Sequence, residues 1–446
     1  MKSKVISSAF YGVMSAIMFA LFVVQVSDLF RLPLLVGVSL SIVAGVTLVI
    51  TTVYLLLHLP IVKFLFRKLV VQLLFAIKVV VPVVLGVLHS LQGFLNLSGF
   101  IRPFLLNVMF FNLFLCAVIV CYKWNLSKIK WLLASIVVIV LAGLGANYAY
   151  PEFFYGIKLA VWGVEKDLSN LDLDDIQRTA GFYLKSTSAS ASMLLLYPAT
   201  VIVFGKKIMP LAVSYLLLLV AVFLTGARSG IAITLMLSPI ILISIMRFVN
   251  YKFQMRPQGS VNFGLLLIPL FVGLFGLIGS FAIASAESFN LTSLSERLAT
   301  LTTVSSIKND DSLNQRSEAQ GKYLNFIAQQ PLTGFGPTHS KTLKERGELW
   351  LSSHNTYIEG SFQYGILFFL LFLMLVGVLL YGVPAHVFTR YTYIDYFTLL
   401  GFILLAYSFF ASTIMSNRSL FFSLGVMLGL SLRSRAISQR AELPAA

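Results

Sequence analysis

The chain has 446 residues, of which 58% are hydrophobic and 11% charged, and its formal net charge is +16. Soluble domains carry about 25% charged residues, so this balance excludes an ordinary soluble protein and describes one that crosses a membrane many times. The positive charge admits a nucleic-acid partner only until lysine and arginine are set against membrane orientation.

Apolar windows of the length a bilayer demands, about 20 residues, fall at 8–26, 34–57, 69–91, 103–121, 131–149, 186–204, 209–225, 228–246, 262–285, 364–383, 395–411 and 416–432. They predict an all-α, polytopic membrane protein with about twelve transmembrane helices. The first window is long and lacks a convincing small-residue cleavage site, so it reads as a retained span. The sixth is weakly apolar ("STSASASM"), and 209–246 is divided only by "TGAR". Cys116 and Cys121 both fall in the fourth window, which argues against a structural disulfide or metal site.

Placing both termini in the cytoplasm gives that side Lys2, Lys4, Lys63, Arg67, Lys68, Lys123, Lys128, Lys130, Lys206, Lys207, Arg247, Lys252, Arg256, Arg390, Arg433, Arg435 and Arg440. Only Asp395 and Glu442 oppose them. Outer segments carry cations and acids in equal number, and Lys78 lies inside the third window. The basic excess is therefore the positive-inside signal, and it requires no nucleic acid.

Two outer segments are long. Residues 150–185 are acidic (Glu152, Glu165, Asp167, Asp172, Asp174, Asp175), and 286–363 is the one stretch large enough for a small extramembrane domain. There "SLNQRSEAQGKYLNFIAQQP" predicts a helix ended by Pro331, with Arg316, Gln320 and Tyr323 on one face, and "PLTGFGP" predicts a turn. The chain thus divides into N-terminal helices (1–205), a core containing the large loop (206–385), and a C-terminal hairpin with a basic tail (386–446). No internal repeat is visible, so the inverted halves of many secondary transporters are not indicated.

Three outer-face features concentrate polar chemistry. "FLTGARSGI" (223–231) places Arg228 at a tight turn between spans, as an interfacial anchor or as an anion ligand. Arg316 lies on the loop helix, as a solvated face residue or a second ligand. "LSSHNTYIEGSFQYGIL" (351–367) places His354, Asn355 and Glu359 directly ahead of a span. Arg102, Lys185 and Arg418 fall near outer span ends, where they anchor helices or bind lipid phosphates. Lys78 reads equally as a functional intramembrane cation or as one snorkelling inward. His339 reads as a loop residue, and Asp310 with Asp311 as a solvated turn.

Taken in order, "TGARSG", "NQRSEAQ…PLTGFGP" and "SSHNTYIEGSFQYGIL" resemble the O-antigen ligase and polysaccharide polymerase superfamily of bacterial membrane glycosyltransferases, most closely over 220–385. The resemblance implies glycan transfer from undecaprenyl diphosphate to a sugar hydroxyl, on a glycan or a lipid A core, at the periplasmic face of the inner membrane. Such transfer serves lipopolysaccharide or exopolysaccharide assembly. The resemblance matches Arg228 and Arg316 to arginines that hold the lipid diphosphate and His354 to an essential histidine, and it implies neither metal nor cofactor. Asn355, Arg418 and Lys185 join them as candidate substrate-binding residues.

Elementary chemistry agrees. Breaking a sugar–diphosphate bond develops negative charge on the leaving group, which two guanidiniums can stabilise with fork-shaped donor sets. A histidine is suited to take the proton of an acceptor hydroxyl. Ligase and polymerase stay equally open, because both use the same class of donor. A small-solute transporter is the alternative of a different class. It predicts broken helices with charges near mid-membrane, a description that only Lys78 meets.

Overall fold

The computed structural model describes residues 2–29, 40–92, 97–154, 156, 180–183, 186–204, 208–225, 227, 229–238, 311–337, 339–349, 352–381, 396–409 and 414–442. Among these residues all regular structure is helical. The helices are α1 (Lys2–Val26), α2 (Leu40–Leu57), α3 (Leu59–Leu65), α4 (Leu69–Phe75), α5 (Val81–Leu91), α6 (Leu97–Lys123), α7 (Leu126–Ala149), α8 (Ser186–Phe204) and α9 (Ile208–Thr225). After them come α10 (Ser229–Ser238), α11 (Asp311–Gln329), α12 (His339–Glu345), α13 (Thr356–Tyr381), α14 (Tyr396–Ser408) and α15 (Arg418–Glu442). A π-helical turn, Ala76–Val80, joins α4 to α5.

Among the described residues, five helical stretches are long and apolar enough to cross a membrane: Leu69–Leu91, Ile101–Lys123, Leu126–Ala149, Ser186–Val203 and Thr356–Leu380. Ile42–Leu57 and Leu59–Leu65 make a sixth if their 91° bend lies within one span. Phe10–Val26, Val213–Thr225, Ser229–Ser238 and Phe397–Ser408 are shorter apolar helices that coincide with other predicted windows. The window 262–285 lies outside the described residues, as do 286–310 and most of the acidic stretch 150–185.

Small residues set the packing. In lipid, helices gain little hydrophobic energy from meeting one another, so close backbone approach supplies the contact. The Gly425-Val-Met-Leu-Gly429 string of α15 faces α6: a Cβ at Gly425 would fall 2.5 Å from Ala117 Cβ, and one at Gly429 2.5 Å from the Val118 carbonyl oxygen. Phe110 and Phe421 stack across the same seam at 5.4 Å. Cys121 lies at the same seam, while the Cys116 thiol faces the Thr51 carbonyl of α2 at 3.7 Å, and both are free and buried. The weakly apolar α8 is explained by its place, since Ser186, Ser190 and Ser192 are all buried against protein rather than lipid. Ser190 Oγ meets the Tyr407 hydroxyl at 2.8 Å, and Ser192 shares hydrogen bonds with Asn417.

The helix ends sort onto two sides. One side gathers Asp28 paired with Arg418, Tyr183 donating to the Val26 carbonyl, and Asn147 accepting from the Ala180 and Gly181 amides. The other gathers Lys123 over the Tyr11 ring and Arg433 donating to the Trp124 carbonyl.

The feature that positions the candidate site is a break in α13. Gly365 takes φ 68° and ψ −168°, a region in practice reserved for glycine. The turn after α11 fills the break. Phe335 N–H donates to the Phe362 carbonyl at 2.8 Å, Gly336 N–H to Gln363 at 3.0 Å, and Ile366 N–H to Pro331 at 2.8 Å. The predicted loop helix is present as α11, and the chain turns at Pro331. Above the break, Tyr323, Phe335, Leu343, Leu349 and Phe362 form a separate small core. The span expected at 364–383 is part of a helix that starts at Thr356, since Asn355 caps it earlier than hydropathy alone indicates.

Gly365→Ala combines a forbidden φ with a Cβ that would fall 2.1 Å from the Leu332 carbonyl oxygen. The substitution is expected to destabilise the protein by at least about 3 kcal/mol. Thermal unfolding in detergent, followed by size-exclusion fluorescence, checks this against Gly321→Ala, where the added Cβ meets nothing within 4 Å.

Candidate functional site

The site is built where α11 meets the N-terminus of α13. Gln320 Nε2 donates to the Ser353 carbonyl at 3.0 Å, and Tyr323, one turn further along α11, is fully buried. The face predicted to carry Arg316, Gln320 and Tyr323 is therefore the face turned toward 353–355. Arg316 is half-buried, one helical turn before the Gln320 contact.

His354 has φ 49°, one of two positive values among described residues other than glycine. Histidine tolerates this left-handed conformation better than most residues, but it is held here by its neighbours. The Ser353 hydroxyl lies 3.0 Å from Glu359 Oε2 and 3.1 Å from the Asn355 carbonyl, and the Asn355 N–H approaches Ser353 Oγ at 3.3 Å. Asn355 Oδ1 accepts from the N–H groups of Tyr357 (2.9 Å) and Ile358 (3.2 Å), which makes it the N-cap of α13. Its carboxamide oxygen is thereby committed to the fold. Glu359 lies in the first helical turn, where the helix dipole favours its charge, and its second oxygen accepts from Gln363 Nε2 at 3.2 Å. Glu359 thus works as part of the scaffold.

Arg228, Gly226 and Lys185 lie outside the described residues, whereas Thr225, Ala227 and Ser229 do not. Thr225 Oγ1 accepts from the Ala227 N–H, and Ala227 and Ile231 are buried. A Cβ at Gly230 would fall 2.6 Å from Ser190 Cβ, so the last glycine of "TGARSG" permits contact with α8. Tyr407 of α14 bonds Ser190 and the Thr187 carbonyl and also interacts with Ser229. Tyr357, in the first turn of α13, donates to the Leu405 carbonyl at 3.2 Å. The end of α14 thus ties Ser229, at the start of α10, to the helix that His354 precedes.

Arg418 and Lys78 belong to a second polar cluster. Arg418 Nη1 pairs with Asp28 Oδ1 at 3.1 Å, which ties the start of α15 to the end of α1. Lys78 projects from the π-helical turn, 5% exposed, and donates to Asn107 Oδ1 at 3.2 Å and to the Met415 carbonyl. Both cations lie against Phe110, at 5.5 Å for Lys78 Nζ and 5.7 Å for the Arg418 guanidinium carbon. Lys78 reaches toward the side that holds Arg418, so it is not an inward-snorkelling anchor. Arg102 is exposed. His339 stacks on Phe335 at 5.1 Å, and burial holds its pKa below the ordinary value.

Sequence reasoning passed over Ser353, Tyr357, Tyr407 and His89. Ser353 and Tyr357 flank the noticed motif and were legible as its neighbours. Tyr407 acts on Thr187, Ser190 and Ser229 and His89 on Thr333 and Gly334, all remote in sequence, and no local pattern marks them.

Residues 213–373 match the family described as O-antigen ligase. The match bears out the resemblance to the O-antigen ligase and polymerase superfamily and contains "TGARSG", α11 and the His354 segment. With the apolar helices, it supports a bacterial membrane protein with a glycosyltransferase-like role in polysaccharide assembly, acting on glycan and lipid-linked substrates. No curated protein matches the chain.

Asn355→Ala removes both capping bonds at the base of the His354 turn. It is expected to cost about 0.5–2 kcal/mol, with Asn355→Asp recovering most of the loss. Melting temperatures of the purified variants check this order.

Proposed function

We propose that the protein is a twelve-span inner-membrane glycosyltransferase that moves a glycan from undecaprenyl diphosphate to a sugar hydroxyl. The 286–363 loop faces the periplasm in this reading. The observation that carries it is the Gln320–Ser353 hydrogen bond, which brings the Arg316-bearing helix to the segment of His354. Arg228 and Arg316 grip the lipid diphosphate and stabilise the charge that develops on it. His354 takes the proton of the acceptor hydroxyl as the glycosidic bond forms and the diphosphate leaves. The acceptor is a growing glycan or a lipid A core, so the enzyme acts as a repeat-unit polymerase or as a ligase.

The transporter alternative is less well supported. The break in α13 is filled by the 331–336 turn, and Lys78 is held by protein acceptors, whereas transport sites use broken helices to line a cavity.

Orientation is open to direct test. Ser306→Cys in intact spheroplasts is expected to react with a membrane-impermeant maleimide, whereas Lys206→Cys reacts only after permeabilisation. The reverse pattern overturns the periplasmic site.

The chemistry is tested by reconstitution with undecaprenyl-diphosphate glycan. His354→Ala is expected to lower turnover by about 10²–10⁴-fold. His354→Gln keeps hydrogen-bonding groups but no basic nitrogen, and it is expected to be equally impaired. Arg316→Lys keeps the charge but loses the two-pronged donor set, at an expected cost of about 10²–10³-fold. Substantial turnover by His354→Gln rules out the base role and leaves His354 a binding residue.

A further inference from the structure

Within the reaction proposed above, we infer that His89 is a positioning residue whose imidazole holds the 331–336 turn, and with it α11, in register with the His354 segment. The inference depends on that reading for its catalytic consequence, while its geometry depends only on the fold.

His89 lies in the last turn of α5 and is 0% exposed. Its Nε2 stands 3.0 Å from the Thr333 carbonyl oxygen and 3.0 Å from that of Gly334. Two carbonyls around one ring nitrogen require a proton there, so Nε2–H is a shared donor. Among the described residues Nδ1 is buried without a hydrogen-bond partner, which agrees with a neutral ring protonated at Nε2. Gly336 closes over that side of the ring: a Cβ there would lie 3.1 Å from Nδ1, and its φ is 89°. Gly336 therefore serves the imidazole as well as the turn.

The turn is gripped from two directions. Its N–H groups at Phe335 and Gly336 reach the opened carbonyls of α13, while its carbonyls at Thr333 and Gly334 receive His89. Without the imidazole, two carbonyls lose a donor and the turn keeps its hold on one side only. It leads directly from α11, and α11 shares a core with Phe335 and Phe362. A shift of the turn therefore moves Gln320 against Ser353, and Arg316 with it. Misplacement of about 1 Å by a remote substitution can lower turnover by about 10²-fold.

The test uses the full-length protein in nanodiscs, spin-labelled at Leu91→Cys and Ser317→Cys. Leu91 is 81% exposed, whereas the native Cys116 and Cys121 are 0% exposed and escape labelling. His89→Leu removes the donor, while His89→Gln presents an amide N–H close to the position of Nε2. His89→Leu is expected to broaden the label-to-label distance distribution and to lower glycan transfer by about 10²-fold. His89→Gln is expected to restore the narrow distribution and most of the turnover. If His89→Leu fails to insert, His89→Asn replaces it, because its amide stops short of both carbonyls and should broaden the distances in the same way.

A narrow distribution in His89→Leu or His89→Asn overturns the proposal. So does an inserted His89→Gln as broad as the apolar variant. The distance measurement needs no turnover. Broadening rescued by Gln, in a protein whose wild type transfers no glycan, would uphold the positioning geometry and reject the enzymatic reading. Normal transfer with unaltered distances in the variants would do the reverse.

Discussion

The structure depends on how one helix break is satisfied. At Gly365 the backbone of α13 leaves the helical path, and the amide and carbonyl groups beside it lose their partners within the helix. Leaving such groups unmet away from water costs about 1–3 kcal/mol each. The 331–336 turn supplies the missing partners with its own backbone, through bonds at Phe362, Gln363 and Ile366. A break that costs stability in isolation thus becomes a socket of fixed shape. Helix α11, the small core beside it and the His354 segment all take their positions from that socket.

Small residues let the rest of the bundle support it. Gly425 and Gly429 bring α15 onto α6, and Gly230 brings the start of α10 onto α8. Polar groups then fix the register where dispersion alone would allow sliding. Tyr407 reaches α8 on one side, and the start of α13 reaches α14 through Tyr357. Each hydroxyl finds a buried acceptor, as lipid surroundings demand. Ser229 and the His354 segment are separated by more than a hundred residues in sequence, yet they are joined by the end of α14.

Much of this was legible in the sequence, and the illegible part has a common cause. Hydropathy marked the windows because burial in lipid rewards any apolar residue, regardless of partner. The α11 face was legible because Arg316, Gln320 and Tyr323 repeat at helical spacing, and the turn because Pro331 and the glycines of "PLTGFGP" permit little else. The early start of α13 was not, because it depends on the Asn355 cap and not on hydropathy. Lys78 was noticed, but its direction was not readable, since it is decided by Asn107 and by the Met415 carbonyl. His89 went unnoticed because its partners are backbone carbonyls, which leave no trace in residue identity.

The arrangement around His354 bears on how a base would be oriented here. Many catalytic histidines are oriented by a carboxylate that accepts from the second ring nitrogen. Glu359 is the nearest acid in sequence, yet one of its oxygens accepts from Ser353 and the other from Gln363. Its charge serves the cap of α13. The main chain at His354 is left-handed and stands between a buried serine tied to α11 and an asparagine locked as an N-cap. The placement of this backbone has a consequence for the proposed chemistry. It makes the placement of the His354 segment depend on α11, the helix carrying Arg316, so in the proposed reaction the diphosphate-side and acceptor-side groups share that contact.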